Sequence, residues 1–121
     1  MAGRLGAGAD IVMSESILSS IISAMENLLL EEPKVHVLLG GRKEEDPKGE
    51  YLYIFGIVDI DPIGMSVASS EGGIVPDDDD LALFREKVGE GMLMKVDVFA
   101  KQFSFYKVKE KAEPATIVLM E

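Results

Sequence analysis

The chain contains no cysteine, which excludes a disulfide framework, a thiolate metal site and a thiol nucleophile. That composition fits a reducing compartment, and the expected location is the cytoplasm. Histidine is almost as scarce. The single one, His36, lies inside the apolar run KVHVLLGG, where a histidine is ordinarily a packed or surface residue and not a ligand. A Ser-His-Asp relay would have to use it, and no G-x-S-x-G elbow accompanies it. The glycines at 40, 41, 72 and 73 do not form a G-x-x-x-x-G-K-[ST] loop, so nucleotide chemistry has no motif. Basic residues are the other shortage. Twelve Lys and Arg against 22 Asp and Glu give a formal charge of −10, which repels phosphate backbones and the anionic membrane face. Neither nucleic acid nor membrane is an expected partner. No segment offers the roughly 20 uninterrupted apolar residues of a membrane span, and the opening MAGRLGAGAD lacks the apolar core of a signal peptide.

A length of 121 residues suits one domain. Residues 1–10, rich in Gly and Ala, read as a flexible arm, and 11–121 as the domain. After the apolar run Ile11 to Met13, Ser14 is placed to cap a helix carrying Ile17, Leu18, Ile21, Ile22, Met25, Leu28 and Leu29 on one face, with Pro33 as its stop. Val35 to Leu39 reads as a buried strand ending in Gly40 and Gly41, and the polar string RKEEDPKGE as its loop. Tyr51 to Ile60, dense in aromatic and β-branched residues, is the strongest strand signal. GMSVASS reads as a small-residue loop. A helix is expected from about Asp78 to Val88, then a hairpin from Met92 to Val98 and Phe103 to Lys109, and a last strand at Thr116 to Met120.

The run Asp77 to Asp80 poses the chemical question. Clustered carboxylates suit Mg²⁺ or Ca²⁺, but consecutive side chains diverge, unlike those of a D-x-[DN]-x-[DN]-G loop. The simpler reading is an acidic first helical turn, with Asp77 as N-cap and Asp78 to Asp80 at the positive end of the helix dipole.

The order of elements and one motif resemble the JAB/MPN domain, the fold of the JAMM metalloproteases that cleave ubiquitin-like proteins from their conjugates. In that family a helix leads into a strand ending in a Leu-Leu-x-Gly-like segment, with a glutamate near the strand's start. Later His-[Ser/Thr]-His, seven residues, Ser, two residues and Asp open a helix. Here the long helix leads into VHVLLGG. Placing GMSVASS on the family's Gly-Trp-Tyr-His-Ser-His-Pro puts Val67 and Ser69 at the two histidines, and without a gap Asp77 falls on the serine and Asp80 on the aspartate. LALF then matches the helix start, and the resemblance spans about residues 11 to 110. A frame shifted by one would put Ala68 and Ser70 at the histidines.

The fold implied is α/β, a single-domain α-β-α sandwich on a mixed sheet of the cytidine-deaminase-like class. In active members two histidines and the aspartate hold zinc, and the glutamate deprotonates the metal-bound water. Of those ligands only Asp80 has a counterpart. The glutamate position falls near Lys34, with Glu31 and Glu32 close by, and the serine position is Asp77, whose charge would oppose an oxyanion. The resemblance therefore implies a catalytically inactive member without metal or other cofactor, a scaffold or interaction subunit with a protein partner or in a homodimer. Exposed apolar candidates for that contact are Met92, Met94 and Leu30, with core packing as the alternative. Two rival readings stay open: a Mg²⁺ or Mn²⁺ hydrolase rebuilt from Asp77, Asp80 and Glu71, and a small-molecule pocket lined by Ser66, Ser69 and Ser70.

Overall fold

The computed structural model describes residues 10–47 and 49–120. Ser14 closes strand β1 (Ile11–Ser14) and caps helix α1 (Glu15–Leu29), its Oγ accepting the Ile17 N–H at 3.1 Å. Leu18, Ile21 and Met25 are the buried stripe of that helix, as the 3.6-residue period requires.

Strand β2 (Lys34–Asp46) departs from the sequence reading, because the polar string that reads as a loop is mostly strand. RKEED pairs antiparallel with β3 (Gly49–Val58), Arg42 opposite Tyr53 and Glu44 opposite Tyr51. The two glycines mark a bulge and not an end. A Cβ on Gly41 would come within 2.0 Å of the Tyr53 carbonyl oxygen, and one on Gly40 within 2.4 Å of Val58 Cγ1, so only glycine admits β3 this closely. The polar residues are tolerated because this half of β2 is partly solvated, and the Arg42 guanidinium lies 5.2 Å from the Tyr53 ring centroid.

GMSVASS also departs from its reading. Its first six residues form β4 (Gly64–Ser69), buried along its whole length between β2 and β5 (Gly91–Asp97). A strand covered on both faces shows no polar alternation, and its small residues imitate a loop. Helix α2 (Asp78–Lys87) precedes β5. β5 turns through Lys101, at φ 58°, into β6 (Gln102–Val108), the expected hairpin. A short β7 (Ala112–Pro114), absent from the sequence reading, and β8 (Ile117–Met120) complete the sheet.

The order is β7-β6-β5-β4-β2-β3-β1-β8, parallel at β4–β5, β1–β3 and β1–β8 and antiparallel elsewhere. Only Ala115 and Thr116 separate the two edge strands in the chain, so the sheet curls until its edges approach. Helix α1 lies on the inner face, where Ile21 and Met25 join Ile11, Met13, Leu39, Ile54, Met92 and Met94 in one core. Met92 and Met94 are fully buried there, which corrects their candidacy for an exposed patch. Helix α2 covers part of the outer face, Phe84 packing on Met65, Val67, Leu93 and Val108. The result is the expected α-β-α arrangement on a mixed sheet. Among the described residues no helix is long and apolar enough to cross a membrane.

Asp10 holds the seam. Its Oδ2 accepts the Thr116 N–H at 3.0 Å and the Thr116 hydroxyl at 3.2 Å, and its Oδ1 lies 3.2 Å from Lys107 Nζ on β6. Asp10, the last residue of the expected arm, is thus bonded to the sheet; residues 1–9 lie outside those described. Partial burial alone would raise the Asp10 pKa, but the Thr116 N–H and the Lys107 ammonium outweigh it and bring it below the ordinary value of 3.8. Removing these partners by Asp10→Ala is expected to cost about 1–3 kcal/mol in a denaturant melt. Since the folded pKa is the depressed one, this stability is present above the unfolded value and is lost as pH falls through the folded one. A wild-type advantage over Asp10→Ala that fails to shrink on acidification would contradict this account.

Candidate functional site

The four aspartates have four different environments. Asp77 stands in the extended region at φ −96° and ψ −179°, and its Oδ1 accepts the Asp80 N–H at 2.8 Å. Asp80 reciprocates, its Oδ2 accepting the Asp77 N–H at 3.0 Å, so two orphan donors of the helix start are satisfied together. The Asp80 N–H is the chief cause of a lowered Asp77 pKa, opposed by slight burial and helped by the Lys34 ammonium. Lys34 Nζ lies 3.6 Å from Asp77 Oδ2 and 3.5 Å from Asp79 Oδ2, and Asp77 foremost raises its pKa. Both pairs are exposed and contribute little to stability. Asp78 and Asp79 point into solvent at the positive end of the helix.

Asp80 is buried, and its Oδ2 also lies 2.5 Å from Lys95 Nζ. Lys95 is buried as well, in the middle of β5. Its register partner on β4 is Val67, whose partner on β2 is His36; beyond that row, Ser69 stands opposite Lys34. Laterally paired residues share a face of a sheet. Lys34, His36, Val67, Ser69 and Lys95 therefore lie on the outer face, where α2 delivers Asp77 and Asp80.

The segment linking β4 to α2 is pinned at several points. Ser69 Oγ accepts the Glu71 N–H at 3.2 Å, and the Ser70 N–H donates to the Pro33 carbonyl at 2.8 Å. Asp97 Oδ2 accepts the Gly73 N–H at 2.8 Å, while its Oδ1 accepts those of Phe99 at 3.0 Å and Ala100 at 2.9 Å. The Ala100 and Gly73 N–H groups, in that order, hold the Asp97 pKa below the ordinary value. The Ile74 carbonyl accepts the Ser104 and Tyr106 hydroxyls.

Of the positions marked in the sequence, Lys34, Val67, Ser69, Asp77 and Asp80 are thus gathered on one side of one sheet end. Ala68, from the shifted frame, faces the inner core. Ser66 shares the face of Ala68, is fully buried, and its hydroxyl has no partner among the described residues. Ser69 points the opposite way and Ser70 is exposed, so the three serines do not line one pocket; strand alternation separates them. A cleft of about 270 Å³ lies at the opposite end of the sheet, lined by residues that include Asp10, Tyr51, Leu52 and Lys107. Lys95 escaped the sequence reading because LMKVDV alternates like a strand with one wet face. The available signal was a lysine between Met94 and Val96, which needs a carboxylate if both faces are covered.

Three solved structures share this architecture. One, described as a JAMM metalloprotease-like zinc site in the proteasome and signalosome, superposes with a TM-score of 0.60 at 15% identity, covering 93% of this chain and 99% of that one. AF2198, a JAB1/MPN domain protein from Archaeoglobus fulgidus, gives 0.53 at 14% identity over 90% and 98% of the two chains. This chain has the JAB1/MPN fold. Protein DSY2949 from Desulfitobacterium hafniense gives 0.62 at 15% identity over 92% and 93%. No protein-family model and no curated protein matches the chain.

The JAB1/MPN fold raises the question of a zinc site, and the donors present do not fit one. Val67 has no lone pair, Ser69 offers a neutral hydroxyl, and Asp80 already has the Lys95 ammonium 2.5 Å from its Oδ2. Among the described residues no three His, Asp or Glu side chains are grouped to hold a metal ion. Asp77, Asp80 and Glu71, the residues of the rebuilt Mg²⁺ or Mn²⁺ reading, are accordingly not grouped in this structure.

Breaking one side of the buried pair, by Lys95→Met or Asp80→Asn, is expected to cost about 3–5 kcal/mol, whereas the double variant recovers most of the loss. Chemical denaturation of the four proteins measures the coupling; additive losses would show that the two groups do not act as a pair. Asp77→Ala is expected to cost about 1 kcal/mol as a lost cap. That contribution is present above the unfolded aspartate pKa and is lost as pH falls through the lower folded one.

Proposed function

We propose that this chain is a non-hydrolytic domain of JAB1/MPN fold that works by protein contact, with a protein partner or a second copy, in the cytoplasm. The observation that carries the reading is the Lys95 ammonium 2.5 Å from Asp80 Oδ2. A Zn²⁺ on that carboxylate would share it with a tethered ammonium already 2.5 Å from its Oδ2, and two cations on one buried carboxylate repel strongly.

Two further groups favour the same conclusion. The position of the family's base is near Lys34, whose pKa is raised by Asp77, so it is a cation at neutral pH. The position of the oxyanion donor is Asp77, whose lowered pKa keeps it negative there, where it would repel a developing oxyanion. A charge of −10 and the absence of cysteine suit a soluble partner in a reducing compartment.

Purification without chelators followed by metal analysis is expected to give no stoichiometric zinc, and isopeptide-linked ubiquitin dimers are expected to remain uncut with or without added zinc. One zinc per chain, or a cleavage that EDTA abolishes, would overturn the proposal.

A further inference from the structure

The sheet end that carries the aspartates also carries large apolar side chains that the core does not use. Leu30 is 83% exposed, Val75 74% and Phe99 65%. Single exposed apolar residues are commonplace, but these three sit on segments that are bonded to one another. Glu26 of α1 pairs at 3.6 Å with Lys101 in the β5–β6 turn, two residues from Phe99. Leu30 lies one helical turn beyond Glu26 on the same stripe. Asp97 binds the Phe99 N–H with one oxygen and the Gly73 N–H with the other, two residues before Val75. The Ser70 N–H to Pro33 carbonyl bond ties that same loop to the segment just after Leu30. Three chain segments thus hold three apolar side chains outward from a hydrogen-bonded frame, so little ordering remains for a binding event to supply.

The electrostatic surroundings select the occupant. Glu31, Glu32, Glu71, Asp77, Asp78 and Asp79 are all exposed at this end. Its cations, Lys34 and Lys101, are already engaged by Asp77, Asp79 and Glu26. A second copy would bring the same acidic rim and a charge of −10, and anionic lipid or nucleic acid would be repelled in the same way. Exposed apolar side chains on bonded segments among exposed carboxylates are complementary to apolar residues flanked by Lys or Arg.

We propose that this surface docks a cationic amphipathic segment of another protein, its apolar side chains seated on Leu30, Val75 and Phe99 and its basic residues facing the surrounding carboxylates. The inference rests on the reading of the domain as an interaction module and names the partner's chemistry.

The test uses the full chain, isotopically labelled, titrated with three synthetic helical peptides of equal length: one of leucine and lysine in amphipathic order, one with serine for leucine, one with glutamate for lysine. The leucine–lysine peptide is expected to bind and to shift the amide resonances of residues 26–34, 70–79 and 97–101. The serine–lysine peptide is expected to bind about tenfold more weakly, and the leucine–glutamate peptide not at all. Leu30→Ser and Phe99→Ser, which leave the charge and the core unchanged, are each expected to weaken the leucine–lysine peptide about tenfold. Affinity indifferent to both variants would reduce the effect to general charge attraction and overturn the proposal. Shifts centred on the cleft lined by Tyr51 and Lys107 would also overturn it, as would concentration-dependent shifts at residues 30, 75 and 99 without peptide, which would make a second copy the occupant. Chelator-sensitive hydrolysis would refute the non-hydrolytic reading while leaving the titration result standing. An absent peptide site in an enzyme-silent protein would refute this surface alone.

Discussion

The contact between Lys95 and Asp80 joins the elements that build the candidate site. It ties the first turn of α2 to the centre of β5, with both charged groups taken out of water. Burying two ions costs several kcal/mol each, and only close approach with further hydrogen bonds offsets it. Asp80 supplies the latter as well, accepting the Asp77 N–H in the cap of the same helix. A single carboxylate thus fixes where α2 begins, how it sits over the sheet, and what charge stands at the end of β4.

The chemical character of the site follows from that constraint. In a fold that elsewhere carries a metalloprotease-like zinc site, the carboxylate here faces a tethered ammonium, which has no vacant coordination position and cannot polarise a carbonyl as a Lewis acid does. Lys34 and Asp77 then pair with each other across the strand-to-helix gap, two charges whose pKa shifts each favour the ionised form. The site is an electrostatically self-satisfied joint. What it leaves unsatisfied is its rim, where acids and apolar side chains point outward from a frame braced by Asp97 and Ser70.

The second constraint is topological. An eight-stranded sheet whose edge strands are separated by Ala115 and Thr116 must curl, and the curl creates the hollow that α1 fills. The Asp10–Lys107 ion pair and the Ala115 N–H to Phe105 carbonyl bond bridge the β1–β8 side to β6, where a flat sheet would expose two edges. The three short β7 residues include Pro114, which cannot donate to a further strand.

By itself the sequence determined the helices and the strongly patterned strands. Ser14 and Asp77 are caps because their side chains bond the N–H three residues on, a local relation that residue type and position express directly. The outline of the fold was legible for the same reason, since helix period, aromatic density and the spacing from GMSVASS to Asp80 are all properties of the chain read in order. Only the tertiary structure decided that GMSVAS is a central strand and that RKEED continues β2 as a strand paired with β3 alone, because burial on both faces erases alternation in the first and a partner strand sustains polar residues in the second. It also decided that Ser66 and Ser69 face opposite sides, and that Lys95 meets Asp80. That last pairing depends on the register of β5 against β4 and on the docking angle of α2, long-range quantities that no local pattern encodes.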